Sequence, residues 1–203
     1  VLVELENQGK TTILLGNEKE LLGAVAVADE LRPHIKETIA QLKAEGIKRV
    51  VMLTGDNERT ARAIAAQAGV DEYLAELLPD DKVDAIRQLK EHYGRVAMVG
   101  DGVNDAPAMA VADVGIAMGG GTDVALETGD LALMANELPK ISYALYLSQR
   151  SVRNIKQNIA ASLAIVGFLV PAALAGLVGL VPGILLNEVS ALFVILNAMR
   201  LLI

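Results

Sequence analysis

MVGDGVNDAPAMA, residues 98–110, decides the fold of this chain. Val96–Val99 is a short apolar run that reads as a buried strand, and a helix is expected from about 105 to 111. Between them Asp101 and Asp105 are four residues apart, separated by Gly102, Val103 and Asn104. Two carboxylates at the mouth of a strand can present hard oxygen ligands to Mg²⁺, and Asn104 can donate to a phosphate oxygen beside that metal. An ordinary helix-capping loop would account for one of the two aspartates but not for the whole run.

The same strand–loop–helix unit recurs on either side. Upstream, Val50–Leu53 runs into Thr54-Gly55-Asp56-Asn57 and a helix over about 58 to 68, closed by Gly69. A threonine hydroxyl and open backbone amides at a helix start suit an anionic oxygen, and Gly55 permits close approach. Taken alone, TGDN reads more readily as an ordinary capped turn. Between the two loops stands Leu78-Pro79-Asp80-Asp81-Lys82, opening a helix over about 80 to 91. A lysine in a first turn is poorly placed for the helix dipole, which favours Asp or Glu there; by itself Lys82 reads as a surface lysine, but its order between the two loops points to a phosphate. Other elements are strand runs at 11–16 and 21–28, a helix opened by Pro33 and closed by Gly46, strand Val114–Ala117, a helix near 122–127 and strand Leu131–Met134. Strands alternating with helices imply right-handed crossovers and a parallel sheet, with ligands beyond the carboxyl ends of its strands. Gln8-Gly9-Lys10-Thr11 imitates the end of a nucleotide-binding loop, but Glu4 stands where that motif needs Gly and a strand follows.

Charge divides the chain in two. Of 18 Lys+Arg and 25 Asp+Glu, only Glu188 and Arg200 lie beyond Lys156. The net charge of −7 argues against a nucleic-acid partner, and the absence of cysteine excludes thiolate metal sites and a cysteine nucleophile in these residues. From Ile159 to Leu186 there is no charge, and Val189–Met199 continues apolar apart from Ser190 and Asn197. About 20 apolar residues cross a bilayer as a helix, so two crossings are expected, turning near Gly176–Gly179 and Pro182-Gly183. Arg150, Arg153 and Lys156 before the first span and Arg200 after the second put both ends on the cytoplasmic side. The start, Val1-Leu2-Val3 without Met, reads as the C-terminal part of something longer.

TGDN at 54–57, LPDDK at 78–82 and MVGDGVNDAPAMA at 98–110 resemble the phosphorylation domain of P-type ATPases, within the haloacid dehalogenase fold group. Ala28-Asp29-Glu30-Leu31-Arg32-Pro33 resembles that domain's hinge strand, and NEVSALFVILNAMRLL (187–202) the last helix of the heavy-metal-transporting subfamily. The resemblance implies an α/β, haloacid dehalogenase-like Rossmannoid parallel-sheet domain followed by a two-helix transmembrane hairpin. It divides the chain into the tail of a nucleotide-binding domain (1–20), the phosphorylation domain (21–140), a cytoplasmic helical connector (141–157) and two membrane helices (158–203). Thr54 and Lys82 would hold phosphoryl oxygens, with Gly55 in the same loop and Asp56 positioning it. Asp101 would bind Mg²⁺, and Asn104 and Asp105 would complete the metal and phosphate network. Asp29 and Arg32 would belong to the hinge. The implied activity is ATP-driven export of a heavy-metal cation through an aspartyl-phosphate intermediate, with ATP and Mg²⁺ as cofactors. The implied setting is the plasma (inner) membrane, with residues 1–157 cytoplasmic and contacts to lipid and to the remainder of the ATPase. The Asp-Lys-Thr-Gly-Thr nucleophile motif of the family does not occur here, so the chain alone is expected to be inactive.

Glu188 is the single ionisable group inside the apolar region and, with Asn187, is the candidate cargo ligand. Asn187, Ser190, Val194 and Asn197 share one helical stripe, and Asn154, Asn158 and Ser162 another, as expected of faces turned to neighbouring helices. Zinc, cadmium and lead members of the subfamily resemble the chain through IKQNI (155–159), yet usually have Lys where Val166 stands and Asp in place of Glu188. Cobalt-type members have His-Glu at 187–188, and the Met and paired Ser of copper members are missing. Oxygen-rich ligands favour a divalent ion over Cu(I). Two other readings are a membrane-anchored phosphatase of the same fold, which would need its own nucleophilic aspartate, and a noncatalytic truncated membrane protein.

Overall fold

The computed structural model describes residues 2–28, 31–120, 123–134 and 137–201, and divides into two units after Ser142. The first unit begins with helix α1 (Leu2–Asn7) and strands β1 (Lys10–Gly16) and β2 (Leu21–Ala28), which pair as an antiparallel hairpin. Its side chains are largely exposed, with Ile13 at 59 %, Leu15 at 62 % and Val25 at 59 %. Then come α2 (Ile35–Ala44), β3 (Val51–Leu53), α3 (Glu58–Ala68), β4 (Glu72–Leu74), α4 (Pro79–Tyr93), β5 (Ala97–Gly100), α5 (Ala106–Val111), β6 (Val114–Met118), α6 (Asp123–Thr128) and β7 (Leu131–Leu133). β3 pairs in parallel with β4, and β5-β6-β7 form a second parallel group.

The alternating strands and helices expected from sequence are present, with two additions. α1 and β4 were unforeseen, because six polar-rich residues and the three-residue Glu72-Tyr73-Leu74 carry no periodic signal. Two details differ from expectation. Helix α2 starts at Ile35, two residues beyond Pro33, with His34 at its N-cap in the left-handed region (φ 61°). Pro182-Gly183 lies inside a helix, within the first turn, where a proline removes no intrahelical bond.

The core lies between the second parallel group and its helices. Ile86 of α4, Met98 of β5, Met109 and Ala108 of α5 and Ala117 of β6 are buried together, with Leu53 of β3 packed against them. Ile116, Met118 and Leu133 form a second cluster with Val99, Leu138 and Ile141. One device repeats along the sheet. Asp71, just before β4, accepts the amide of Val50 at 2.9 Å. Asp113, just before β6, accepts that of Val96 at 2.8 Å, and Asp130, just before β7, that of Gly115 at 2.8 Å. Lys43 reaches Asp71 at 2.8 Å and Lys90 reaches Asp113 at 3.2 Å. These carboxylates fasten the start of one strand to the start of the next, holding the opposite ends, where the loops lie, in common register.

The lysine and amide contacts hold both carboxyls below the ordinary aspartate range. For Asp71 the Lys43 hydrogen bond is the main cause, and for Asp113 the Val96 amide. A carboxyl whose folded pKa is depressed contributes stability above its unfolded pKa and loses it as pH falls through the folded value. Asp71→Asn with Asp113→Asn is therefore expected to melt below the wild type at pH 7, the gap closing below about pH 4. Thermal unfolding followed by circular dichroism from pH 3 to 7 checks this; a gap independent of pH would contradict it.

The second unit is a helical hairpin. α7 (Pro139–Leu174) starts in the first unit and runs unbroken for 36 residues, so the expected connector and first span are one helix. Gly176 (φ 73°) closes it, and α8 (Leu180–Met199) follows. Both helices are long and apolar enough to cross a membrane. Leu163, Phe168, Leu180 and Phe193 are each more than 60 % exposed, a surface too apolar for water. The helices are joined by amides. Asn154 donates to the Asn197 carbonyl at 2.7 Å, Asn197 donates to Asn158 at 2.8 Å, and Asn158 to Asn154 at 3.0 Å. This closed set pairs the polar groups that the two helices turn toward each other.

Candidate functional site

The loop after β3 folds upon itself. Thr54 donates its hydroxyl to Asp56 at 2.8 Å and accepts the Asp56 amide at 3.1 Å. Asn57 caps α3 by accepting the amides of Arg59 and Thr60. The segment after β4 braces the loop from one side: Glu76 N–H reaches the Asp56 carbonyl at 2.8 Å and Leu77 N–H that of Thr54 at 3.0 Å. Glu76 holds φ 58° to do so, a costly conformation for a residue other than glycine. From the other side Thr11 of β1 donates to Asp56 at 3.4 Å. The Thr54 hydroxyl is thus aimed by Asp56 and must rotate away to meet a phosphate oxygen. A methyl group on Gly55 would stand 3.4 Å from the Leu77 carbonyl, an ordinary contact, so nothing in this chain forces glycine there.

The loop after β5 is the more constrained. A methyl group on Gly100 would lie 2.5 Å from the Asp105 Cβ and 3.1 Å from the Met109 sulfur. Only glycine lets the chain turn tightly enough to set Asp105 at the start of α5. Lys82, in the first turn of α4, donates to Asp105 at 2.8 Å, with the two side chains 16 % and 15 % exposed. A charge-assisted bond so shielded contributes roughly 1.5–3 kcal/mol. Asp81 accepts the Leu78 amide at 2.9 Å and caps the same helix. Asp101, 53 % exposed, receives Arg32 at 3.0 Å. Asn104 is exposed between them.

The structure thus brings together Lys82 with Asp105 and Arg32 with Asp101, and places Thr54, Gly55 and Asp56 in a separate, self-bonded loop. Asp29 lies outside the described residues. Asp101 and Asp105 offer hard oxygens suited to Mg²⁺, each already balanced by one cation. Among the described residues no three His, Cys, Asp or Glu side chains gather, so this donor pair fits Mg²⁺ only with a further ligand. A recess bounded by Val51, Leu74, Leu89 and Tyr93 contains none of these groups. In the second unit Asn187 and Glu188 are exposed on α8, and Ser190 donates to the Asn187 carbonyl at 2.6 Å. Of the two polar stripes, Asn154, Asn158 and Asn197 meet.

Residues 2–113 match the family model of haloacid dehalogenase-like hydrolases. The chain belongs to that family. This haloacid dehalogenase-like chain is 50 % identical over 199 residues to a probable cadmium-transporting ATPase of Alkalihalophilus pseudofirmus, covering 98 % of itself and 28 % of that protein. It is also 50 % identical over 194 residues to the zinc-transporting ATPase of Bacillus subtilis, covering 96 % and 30 %. A crystal structure of a zinc-transporting PIB-type ATPase in the E2.Pi state superposes with a TM-score of 0.86 at 45 % identity, covering 98 % of this chain and 33 % of that one. The chain therefore spans about a third or less of the length of each of these three proteins.

Three contacts of this haloacid dehalogenase-like site escaped the sequence reading. Arg32, expected in a hinge, also reaches Asp101 across 69 positions, a distance at which no local pattern carries a signal. The Lys82–Asp105 pair joins residues read separately as a phosphate ligand and a metal ligand. Glu76 carries no turn signature at all.

Proposed function

We propose that this chain is the C-terminal part of an ATP-driven heavy-metal pump, supplying most of its phosphorylation domain and its last two membrane helices. The observation that carries this is the conjunction of the Lys82–Asp105 and Arg32–Asp101 pairs at the loop ends of parallel strands with an apolar hairpin holding a single carboxylate. Phosphoryl transfer is mainly positioning and neutralisation of oxygen charge, which this loop chemistry suits. Asp101 and Asp105 would hold Mg²⁺, which would supply positive charge to offset that of the phosphoryl group. Lys82 would then turn from Asp105 to a phosphoryl oxygen, Thr54 would donate its hydroxyl to another, and Asn104 would donate its amide. Asp56 keeps the Thr54 loop in place, and Arg32 ties the segment after β2 to the site.

The nucleophile has to come from outside these residues. β3 and β5, whose loops carry the site, each pair on one side only among the described residues, leaving an edge for a further strand. The exposed apolar faces of the β1–β2 hairpin likewise call for covering chain. Both features support a larger ATPase of which this is one part; the basic flanks of the apolar spans would place residues 1–157 on the cytoplasmic side of the plasma membrane. The cargo would be a divalent ion of the zinc, cadmium or cobalt type, approached by Glu188 and Asn187. The 203-residue chain on its own is expected to show no ATP hydrolysis above its Asp101→Ala variant. Turnover in the wild-type chain that Asp101→Ala removes would overturn the assignment of the nucleophile to another segment.

A further inference from the structure

We propose that the end of the helical hairpin where α7 enters its apolar stretch binds the phosphate headgroup of anionic lipid, through Arg150, Arg153, Lys156 and Arg200. The proposal rests on the membrane-spanning reading of α7 and α8. Residues 143–203 carry those four cations and one carboxylate, Glu188, a net +3 in a chain whose total is −7. Glu188 precedes Arg200 by twelve residues on α8, about 18 Å along the helix axis, too far to balance it. Among the described residues none of the four forms an ion pair.

The fold gathers like charges instead of separating them. Arg150 of α7 reaches the backbone carbonyl of Arg200 at 3.5 Å, and Arg200 donates to Asn197 at 3.2 Å. Arg150 and Arg200 are thereby brought to the same end of the hairpin, and among the described residues neither is paired with a carboxylate. Such an arrangement fits an oxyanion that accepts from both. With successive residues turned by about 100°, Tyr146, Arg150, Arg153 and Lys156 share one face of α7. Asn154 and Asn158, which bond α8, lie on another. Arg150 also stacks 5.6 Å above the Tyr146 ring, which fixes its direction.

Depth selects the ligand. The apolar run begins at Ile159, three residues beyond Lys156, so the cations lie at the level of the phospholipid phosphates, and the exposed rings of Tyr143 and Tyr146 suit the same interface. Basic clusters beside a membrane helix attract anionic lipid by about fivefold per cation.

The full 203-residue chain in detergent micelles, titrated with phosphatidylglycerol or phosphatidylcholine and followed by native mass spectrometry, should retain phosphatidylglycerol about tenfold or more in excess. Arg153→Gln with Lys156→Gln should lose most of that preference, while Lys19→Gln with Lys36→Gln, an equal charge change in the first unit, should keep it. Equal retention of the two lipids, or a preference the Arg153/Lys156 variant retains, overturns the proposal. Flotation with phosphatidylcholine vesicles separates the two readings: a chain that floats without lipid preference keeps the membrane reading and loses this one. A chain that does not float loses both.

Discussion

Asp101→Asn, placed in the intact polypeptide that carries this chain, is expected to lower acid-stable phosphoenzyme formed from ATP by about a hundredfold or more. The substitution keeps the shape of a half-exposed side chain one residue beyond Gly100 and removes its charge. A Mg²⁺ held by Asp101 and Asp105 would lose half of its carboxylate ligation, and the transferring group would lose the neutralisation that the metal supplies. Lys82→Ala should lower labelling by a similar factor for a different reason, loss of a fixed cation at the phosphate oxygens. It also leaves Asp105 shielded and unpaired, so it should destabilise the fold by roughly 1.5–3 kcal/mol. Adding Asp105→Asn to Lys82→Ala should restore much of the melting temperature and none of the labelling. Unchanged labelling in both Asp101→Asn and Lys82→Ala would remove this site from the chemistry.

Glu188→Ala in the same intact polypeptide is expected to abolish metal-dependent ATP turnover while phosphorylation from inorganic phosphate survives. The phosphate loops belong to the first unit, whereas Glu188 stands midway along α8 in the apolar hairpin. A carboxylate in hydrocarbon is costly to keep ionised, and a divalent cation is the partner that would repay it. Glu188→Gln should preserve folding and still fail in turnover, because it keeps hydrogen bonding and loses charge. If Glu188 served only to bond a neighbouring helix, as Asn158 and Asn197 bond each other, the Gln variant would work as the wild type does. Glu188→Asp should retain turnover with an altered order of preference among zinc, cadmium and cobalt, since the shorter carboxylate moves its oxygens by about one methylene.

How much of this was legible in residue order depends on the range of the forces involved. Helices α2 to α6 and the β5 and β6 strands could be read because each is encoded locally. Asn57 caps α3, Gly69 ends it at φ 80°, and β5 and β6 are short apolar runs, with Met98 and Ala117 in one buried cluster and Ile116 in the other. The Gly-Asp loop could be read because Gly100 has no substitute beside Asp105. β4 could not, since three residues with one half-buried ring gain their strand character only from pairing with β3. The Asp71, Asp113 and Asp130 clamps went unread for the same reason: each acts on an amide 15 to 21 positions earlier, and nothing adjacent marks it. In the hairpin the polar stripes were legible as stripes, but which amides meet is fixed by the crossing of α7 and α8. Asn197 finds Asn154 and Asn158, while Ser162 stays exposed.

The most direct measurement is acid-stable ³²P incorporation from labelled ATP into the intact polypeptide carrying residues 1–203. It would be taken with Zn²⁺, Cd²⁺ or Co²⁺ and with a chelator. A metal pump predicts label that rises with at least one of these ions, falls to background in chelator, and is lost in Asp101→Asn. Label that is absent under every condition, or equal with and without metal, would contradict it.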